Sequence, residues 1–387
     1  MATMRCIPAA NSCLFESDLR GRYVSDKLPE VWDLDPHTHA KHVILRRYLH
    51  AWLPIIAQYN SRVVFVDGFA GPGVYTGGED GSPVIALRAL IEHAHVAKIK
   101  ANVQFLFFEV DAQRAARLAQ IVEPYRTKLP ANASYTVQQG NYAELLGGLF
   151  DALDANGRQL APSLVFIDPF GVSSVPMSLV RRILATPSCE VMINFMISYA
   201  HRFIAASEFE PHLDAIFGTP EWRAGRSMTG PDRMAFLRNL YVSELIRADP
   251  AGSARYVRKF TMLDKTNKPI YDLVFATNHA VGIDRMKDAM WKVDASGGER
   301  FSDATDPDQP TLLSGAELHD EGLLHMLRTS CAGQAMPWRE VEEYIRNSPY
   351  RVLKRPLQKA AKDPCSGIKI ASTNRGISDD AIVTFRA

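Results

Sequence analysis

A buried strand that ends in an acid and runs straight into a glycine-dense turn constrains this chain more than any other stretch. From Arg62 to Tyr75 it reads R-V-V-F-V-D-G-F-A-G-P-G-V-Y. Residues 62–66 are mostly β-branched or aromatic and show no polar alternation, the pattern of a strand covered on both faces. Asp67 follows, and then Gly68, Ala70, Gly71 and Gly73. Glycine at this density lets backbone approach a ligand where a side chain would obstruct it. Such a turn at the carboxyl end of a parallel strand suits a nucleotide-type cofactor. The spelling is D-G-x-A-G-x-G, not the dinucleotide G-x-G-x-x-G. A plain strand with a glycine-rich turn is the bland alternative.

The next hundred residues supply the neighbours that such a strand needs. Residues 82–94 read as a crossover helix with Ser82 as cap and Pro83 at its first position. V-Q-F-L-F-F-E, ending at Glu109, is a second buried strand, and an acid at that position hydrogen-bonds ribose hydroxyls in nucleotide-binding folds. Glu109 lies about twice as far from Asp67 as the usual ~20 residues, which requires an insertion around 74–82 or a longer helix. A helix at 112–122 and a third strand at 133–138 follow, the latter ending in Q-G-N-Y. Asn141 there either pairs with the exocyclic amine of an adenine or is an ordinary turn residue.

The fourth strand, S-L-V-F-I-D-P-F-G from Ser163 to Gly171, again ends in an acid at the tip where an open α/β sheet binds ligands. Asp168 either merely terminates the strand or, with Pro169 and Phe170, serves chemistry on an exocyclic amine. An exocyclic amine is a poor nucleophile because its lone pair is delocalised into the ring. A carboxylate and a prolyl-flanked carbonyl can accept its hydrogens, while an aromatic side chain stacks on the base. After a helix at 176–185, a fifth strand spans 189–199. Asn194 is a polar residue within its apolar run and needs a partner. His201 and Arg202 follow as either substrate contacts or surface residues.

These motifs carry a resemblance. The turn at Asp67 resembles the first motif of class I S-adenosylmethionine-dependent methyltransferases. Asp168-Pro169-Phe170 resembles the D/N-P-P-Y/F element of methyltransferases acting on amino groups of nucleobases and, with Gly171, the D-P-F-G spelling of tRNA guanine-N2 methyltransferases. In combination, D-P-H-T-H-A-K-H from Asp35, the L-R-R-Y-L-x-x-W helix from Leu45, V-D-G-F-A-G-P-G, Gly81-Ser82-Pro83, F-I-D-P-F-G and Ile193-Asn194-Phe195 look like the bacterial three-Cys-motif partner family. Y-D-L-V-F-A-T-N-H from Tyr271 and M-K-D-A-M-W from Met286 fit it too, so the resemblance spans roughly 35–292. It implies a doubly wound, Rossmann-like methyltransferase sheet of the α/β class, in a protein that works beside a radical-S-adenosylmethionine-like cysteine-motif protein. On this resemblance the cofactor is S-adenosylmethionine, held by Asp67, Gly68, Ala70, Gly71, Gly73, Glu109, Asn141 and Asp168. Catalysis then falls to Asp168, Pro169, Phe170 and Asn194.

The flanks say less. Residues 1–35 have little pattern, and Asp35-Pro36 opens an amphipathic helix running to Tyr59, with Ile44, Leu45, Tyr48, Leu49, Trp52, Leu53 and Ile56 at three- and four-residue steps. His37, His39, Lys41, His42 and His50 decorate it. H-x-H-x-x-H has no i, i+4 pair and no nearby carboxylate, so solvated or capping histidines are favoured over a metal site. The five cysteines are scattered, with no CxxC, which fits a reducing cytoplasm and argues against zinc or an iron–sulfur centre. No apolar run approaches the ~18 residues of a membrane span. A net charge of +1 gives no global attraction to nucleic acid.

Residues 207–248 form a helical insertion, 254–263 and 270–278 an antiparallel strand pair closing the sheet, and 286–293 a last helix whose Met and Trp belong to the core. This first domain covers 1–294; 295–314 is a linker, and 315–387 is a small α+β domain. Helices at 317–330, 337–346 and 353–361 and strands at 368–371 and 381–386 follow a winged helix-turn-helix order. From Arg346 to Arg375 it carries eight basic residues against one acid, Asp363. Lys354, Arg355, Lys359 and Arg375 are the candidates for phosphate contacts, with protein docking as the alternative. Three functions stay open: a nucleobase methyltransferase, a small-metabolite methyltransferase using the last domain as lid or dimer contact, and a non-catalytic scaffold.

Overall fold

The structure, a computed structural model, describes residues 30–169, 175–247, 252–305, 314–371 and 376–386. Strands β1 (Arg62–Asp67), β2 (Asn102–Glu109), β3 (Ala133–Gln139), β4 (Ser163–Ile167) and β5 (Cys189–Phe195) all pair in parallel. β7 (Pro269–Thr277) runs antiparallel to both β5 and β6 (Tyr256–Leu263), so β6 points the same way as β1. A short β8 (Arg300–Ser302) adds in parallel to β6. The order across the sheet is β3-β2-β1-β4-β5-β7-β6-β8. The chain is therefore an α/β protein with a doubly wound, mostly parallel sheet, and its order reverses between β1 and β4, where such sheets open a crevice for ligand. The antiparallel pair toward the far edge is what the methyltransferase resemblance requires.

Two apolar layers cover the sheet. On one face pack α1 (Pro36–Tyr59), α2 (Ser82–Ile91), α3 (Ala112–Val122) and α9 (Ala280–Val293), through a core that includes Leu45, Leu49, Phe105, Leu118 and Met286. On the other lie α4 (Tyr142–Ala155), α5 (Met177–Ala185) and the inserted helices α6 (Ile197–Phe203), α7 (Glu210–Phe217) and α8 (Gly230–Ile246), around Leu146, Ile183, Trp222 and Leu237. The caps follow the sequence: Asp111 accepts from the amides of Gln113 and Arg114 to start α3, and Asn141 does the same for α4.

Several expectations shift. The fifth strand stops at Phe195, which places Ser198, Tyr199, His201 and Arg202 on α6. The run stays apolar across that boundary, so no change of period marks it. Ser82 lies inside α2 and its hydroxyl does not cap it; Gly81 stands at the cap. The long interval between Asp67 and Glu109 is an inserted loop over 68–81, closed where Gly81 N–H donates to the Gly73 carbonyl at 2.8 Å. A Cβ at Gly81 would lie 2.8 Å from the Gly73 carbonyl carbon, so only glycine permits that approach. Part of the stretch read as linker is ordered structure. It contains β8 and a turn in which the Asp294 carboxylate accepts from the amides of Ser296, Glu299 and Arg300.

Residues beyond 314 build a second core. Their elements are α10 (Gly315–Ser330), β9 (Ala335–Pro337), α11 (Trp338–Arg346), α12 (Lys354–Ala360), β10 (Ile368–Ala371) and β11 (Ile382–Phe385), with the sheet ordered β10-β11-β9. Leu323, Trp338, Ile345, Leu357, Val383 and Phe385 fill it. Ser314 and Glu317 close a reciprocal capping box at the start of α10. This unit docks on α9. Lys287 inserts its ammonium among the carbonyls of Ile345, Arg346, Ser348 and Tyr350 at 2.7–3.2 Å, and Trp291 Nε1 donates to the Pro349 carbonyl at 2.9 Å.

No described helix is long and apolar enough to cross a membrane.

Candidate active site

The carboxyl tips of β1, β2 and β4 bring Asp67, Glu109 and Asp168 to one edge of the sheet. Asp67 is fully buried. Its Oδ1 accepts from the Phe69 amide at 3.2 Å, while Oδ2 has no partner within hydrogen-bonding geometry. Burial raises its pKa to about 7; the neighbouring Asp168 pushes the same way, and the Ser82 hydroxyl, the Phe69 amide and Lys41 pull back.

The glycine turn is braced from within. Gly68 N–H donates to the Phe166 carbonyl and Ala70 N–H to that of Phe108, both at 2.9 Å, and Gly71 N–H donates to Glu109 Oε2 at 2.9 Å. Gly71 sits at φ +60°, and a Cβ there would point at Trp32, 3.7 Å away. Gly73, at φ +85°, is closed by packing instead: a Cβ would strike Leu118 at 2.8 Å.

Glu109 lies where the sequence put it but is more occupied than a free ribose acceptor. Oε1 takes Arg114 Nε at 3.0 Å, Arg114 Nη2 at 2.9 Å and the Asp111 amide at 2.9 Å. A carboxylate has about four acceptor positions, so Oε2, with only Gly71 on it, keeps one. Asn141 also sits at the expected corner, past β3. Its Oδ1 caps α4 by accepting from Ala143 N–H at 2.8 Å, so that oxygen is engaged rather than offered to an adenine amine, and Nδ2 is the group left over.

Asp168 is held from two sides. Lys41 Nζ, from α1, pairs with its Oδ2, and Asn194 Nδ2, from β5, donates to its Oδ1. Asn194 thus has a partner for its amide nitrogen, while its Oδ1 is buried without one among the described residues. Pro169 continues the strand tip, and Phe170 lies outside the described residues. Beside Pro169 and Asn194 opens an apolar pocket walled by Phe195, Tyr199, Phe203, Phe209 and Tyr241, with the inserted helices as its far side. Two stacked pairs line it: Phe195 with Tyr241 at 4.2 Å and 3°, and Phe203 with Phe209 at 4.3 Å and 9°.

Sequence reasoning missed the contribution of α1. Lys41 and His42 are buried rather than surface decoration. Lys41 lies 5.5 Å over the Tyr271 ring. His42 packs 5.6 Å from the Tyr75 ring, and burial, then Lys41 and His39, hold its pKa well below the ordinary range, so it is neutral. Burial and then the charge of Asp168 raise the pKa of both Tyr75 and Tyr271. His37 Nδ1 meets Asp303 Oδ2 at 2.8 Å, so this histidine does have a carboxylate, contributed by the segment after β8. A signal was present: Lys41 stands on the stripe of Ile44, Leu45 and Tyr48, and a charge on a buried stripe needs a partner. Among the described residues no group of three or more His, Cys, Asp or Glu is placed to hold a metal.

The basic cluster of the last domain is dispersed. Lys354 Nζ donates to the Ile377 carbonyl at 2.9 Å, and Arg346 pairs with Asp284 of α9 at 3.3 Å. Arg355 and Lys359 are exposed, and Arg375 lies outside the described residues.

No family model matches the sequence, and no curated protein is similar to it. Among solved structures, the chain is similar to one described as a candidate O-methyltransferase from Klebsiella pneumoniae, at 12% identity over 69% of this chain and 97% of that one, with a TM-score of 0.30. It is also similar to Trm1 from Pyrococcus horikoshii, solved with S-adenosyl-L-methionine, at 9% identity over 89% of this chain and 90% of that one, with a TM-score of 0.32. Likenesses this distant leave the function to be argued from the chain's own residues.

Proposed function

We propose that this protein is an S-adenosylmethionine-dependent methyltransferase acting on an exocyclic amino group of a nucleobase, in nucleic acid or a nucleotide. One observation carries the reading. A carboxylate fixed from two sides, by Lys41 and Asn194, stands at the switch point of the sheet, between the glycine turn of β1 and an aromatic pocket. The site fits the cofactor. Glu109 Oε2 keeps an acceptor position for a ribose hydroxyl, and the glycine turn lies beside it. Bound there, S-adenosylmethionine supplies a methyl group on a sulfonium, an electrophile.

The chain's own residues do the rest. Asp168 accepts a hydrogen bond from the amine, and the Pro169 carbonyl is a second acceptor beside it. Together they draw the nitrogen lone pair out of conjugation and aim it. The aromatic walls beside Asp168 keep water from that side of the carboxylate. Lys41 holds Asp168 in place.

The last domain has the element order of a winged helix, and its exposed Arg355 and Lys359 support phosphate contact. The resemblance to the three-Cys-motif partner family adds a radical-S-adenosylmethionine-like protein as a working partner, and we place the pair in the cytoplasm. Calorimetry with S-adenosylmethionine, followed by transfer of its labelled methyl group to total nucleic acid and to a nucleotide extract, tests the proposal. We expect binding, and label on an amino nitrogen that is lost in Asp168→Ala by about 10²–10⁴-fold, the range for a positioned acid–base group. Undiminished transfer by a folded Asp168→Ala protein would refute the amino-group chemistry.

A further inference from the structure

Outside the site, positive charge gathers in a groove of about 540 Å³ between α1 and α9. α1 lines it with Arg46, Arg47 and His50, and α9 with Arg285 and Lys292, over a floor that includes Ala51 and Ala289. Four permanent positive charges meet one acid in the lining, Asp288. In a chain whose whole formal charge is +1, that is a local excess. The partners present do not neutralise it. Asp288 is shared between Arg285 at 3.0 Å and Arg351 at 3.9 Å, and Arg46 reaches Glu92 at 3.1 Å on an exposed rim. Arg47 and Lys292 are exposed and have no ion-pair partner among the described residues. The positive field is felt by His50, whose pKa is lowered by its half-burial first, then by His93 and the two arginines of α1.

The two sides of α9 have different tasks. Asp284, Lys287 and Trp291 face the docked C-terminal domain, while Arg285, Ala289 and Lys292 face α1. The groove therefore runs beside that domain. Its α1 wall continues, toward the helix N-terminus, into the turn that carries Lys41 to Asp168.

We propose that this groove holds the phosphate backbone of the nucleic acid whose base enters the site; the inference rests on the reading of the site given above. A row of guanidinium and ammonium groups on two rigid helices suits a repeating anion. The one acid among them works against a fixed, high-affinity site for a lone anion, whereas a backbone gains from several weak contacts at once.

The test uses the full chain and a short fluorescein-labelled single-stranded RNA, with the matching DNA as second probe, in anisotropy titrations across a salt series. Arg47→Ala/Lys292→Ala should weaken binding about tenfold or more at low salt and flatten the log–log salt dependence by roughly 1.4–1.8, about 0.7–0.9 for each lost phosphate contact. Its affinity for S-adenosylmethionine and its melting temperature should match the parent's. Arg355→Ala/Lys359→Ala in the C-terminal domain is the comparison. If only that variant loses binding and slope, the groove proposal is overturned while the proposed function stands. If the parent binds neither probe at low salt, the groove proposal is overturned together with the polymeric substrate, and methyl transfer to free nucleotides then judges the chemistry separately.

Discussion

Lys41→Met isolates the interaction that holds the candidate site together. The change keeps the volume and the helix propensity of the side chain while removing its ammonium, so Asp168 is left as a carboxylate with Asn194 alone. Removing one partner of a buried ion pair costs about 3–5 kcal/mol, mostly because the survivor stays charged and desolvated. The Asp168 side chain is 15% exposed against 5% for Lys41, so water relieves part of that penalty and the lower end, about 3 kcal/mol, is expected. Lys41→Met/Asp168→Asn should recover most of the loss. The asparagine amide oxygen still accepts from Asn194 Nδ2, and no uncompensated charge remains. The assay is urea unfolding of the parent, both single variants and the double variant, followed by circular dichroism and combined as a double-mutant cycle. A coupling of about 2 kcal/mol or more is expected. Strict additivity of the two single changes would refute the pairing and, with it, the claim that α1 positions Asp168.

Other expectations follow from the same edge of the sheet. Gly71→Val should abolish S-adenosylmethionine binding in calorimetry, because its φ of +60° is strained for valine, whose branches would also crowd Trp32, so the turn must shift. Glu109→Ala should weaken binding by roughly 1.5–3 kcal/mol, the scale of a hydrogen bond to a charged group, and also loosen the turn through loss of its bond to Gly71; undiminished affinity would remove Glu109 from the cofactor site. Asp67 has a folded pKa of about 7, raised above its ordinary 3.8. The folded state therefore holds a proton that the unfolded chain has released, and stability falls as pH rises between those two values. Asp67→Asn should accordingly raise the melting temperature more at about pH 8 than at about pH 4, and an equal effect at both would contradict a buried, reluctant carboxylate. Lys287→Met leaves several carbonyls without their donor, at about 1–3 kcal/mol for each buried group left unsatisfied; hydrogen exchange should then quicken across 314–386 while β1, β4 and β5 stay protected.

What was legible in the sequence was whatever local pattern dictates. Strands β1, β4 and β5 announce themselves as short, doubly covered apolar runs, and acids stand at or just past the tips of β1, β2 and β4, whereas β3 is largely polar and half-exposed. The pairing of Asn194 was legible as a need without an address, since a buried amide must be bonded but nothing local says to what. Lys41, His37 and Asp303 were not legible as site residues, because their partners lie 127 or 266 positions away and only the packing of α1 across the sheet brings them together. The occupied state of Glu109 escaped for the same reason: its position at the strand tip follows from β2, whereas Arg114 reaches back to it from the next helix. β8 and β9 are three residues each, too short to show any period.

The placement of the C-terminal domain bears on the choice between lid and platform. Its polar contacts with the rest of the chain go to α9 and to β6, where Glu343 meets Arg255 at 3.0 Å and the Tyr256 hydroxyl at 2.9 Å. Arg255 and Tyr256 stand at the start of β6, which is the amino edge of the sheet, whereas Asp67, Glu109 and Asp168 occupy the carboxyl edge. A domain hinged to close over the site would need its attachment near the strand tips and a weak, polar contact surface. Here an ammonium is sunk among four carbonyls in the interior of the contact, and burial together with Arg258 pulls the pKa of Lys287 down to about 7 even as those carbonyls favour its charged form. Swinging the domain would strip that charge of its acceptors and expose the Trp291 contact as well. A fixed domain flanking a basic groove is better suited to gripping a long anionic partner than to covering a small molecule, and that is the physical ground for preferring a polymeric substrate.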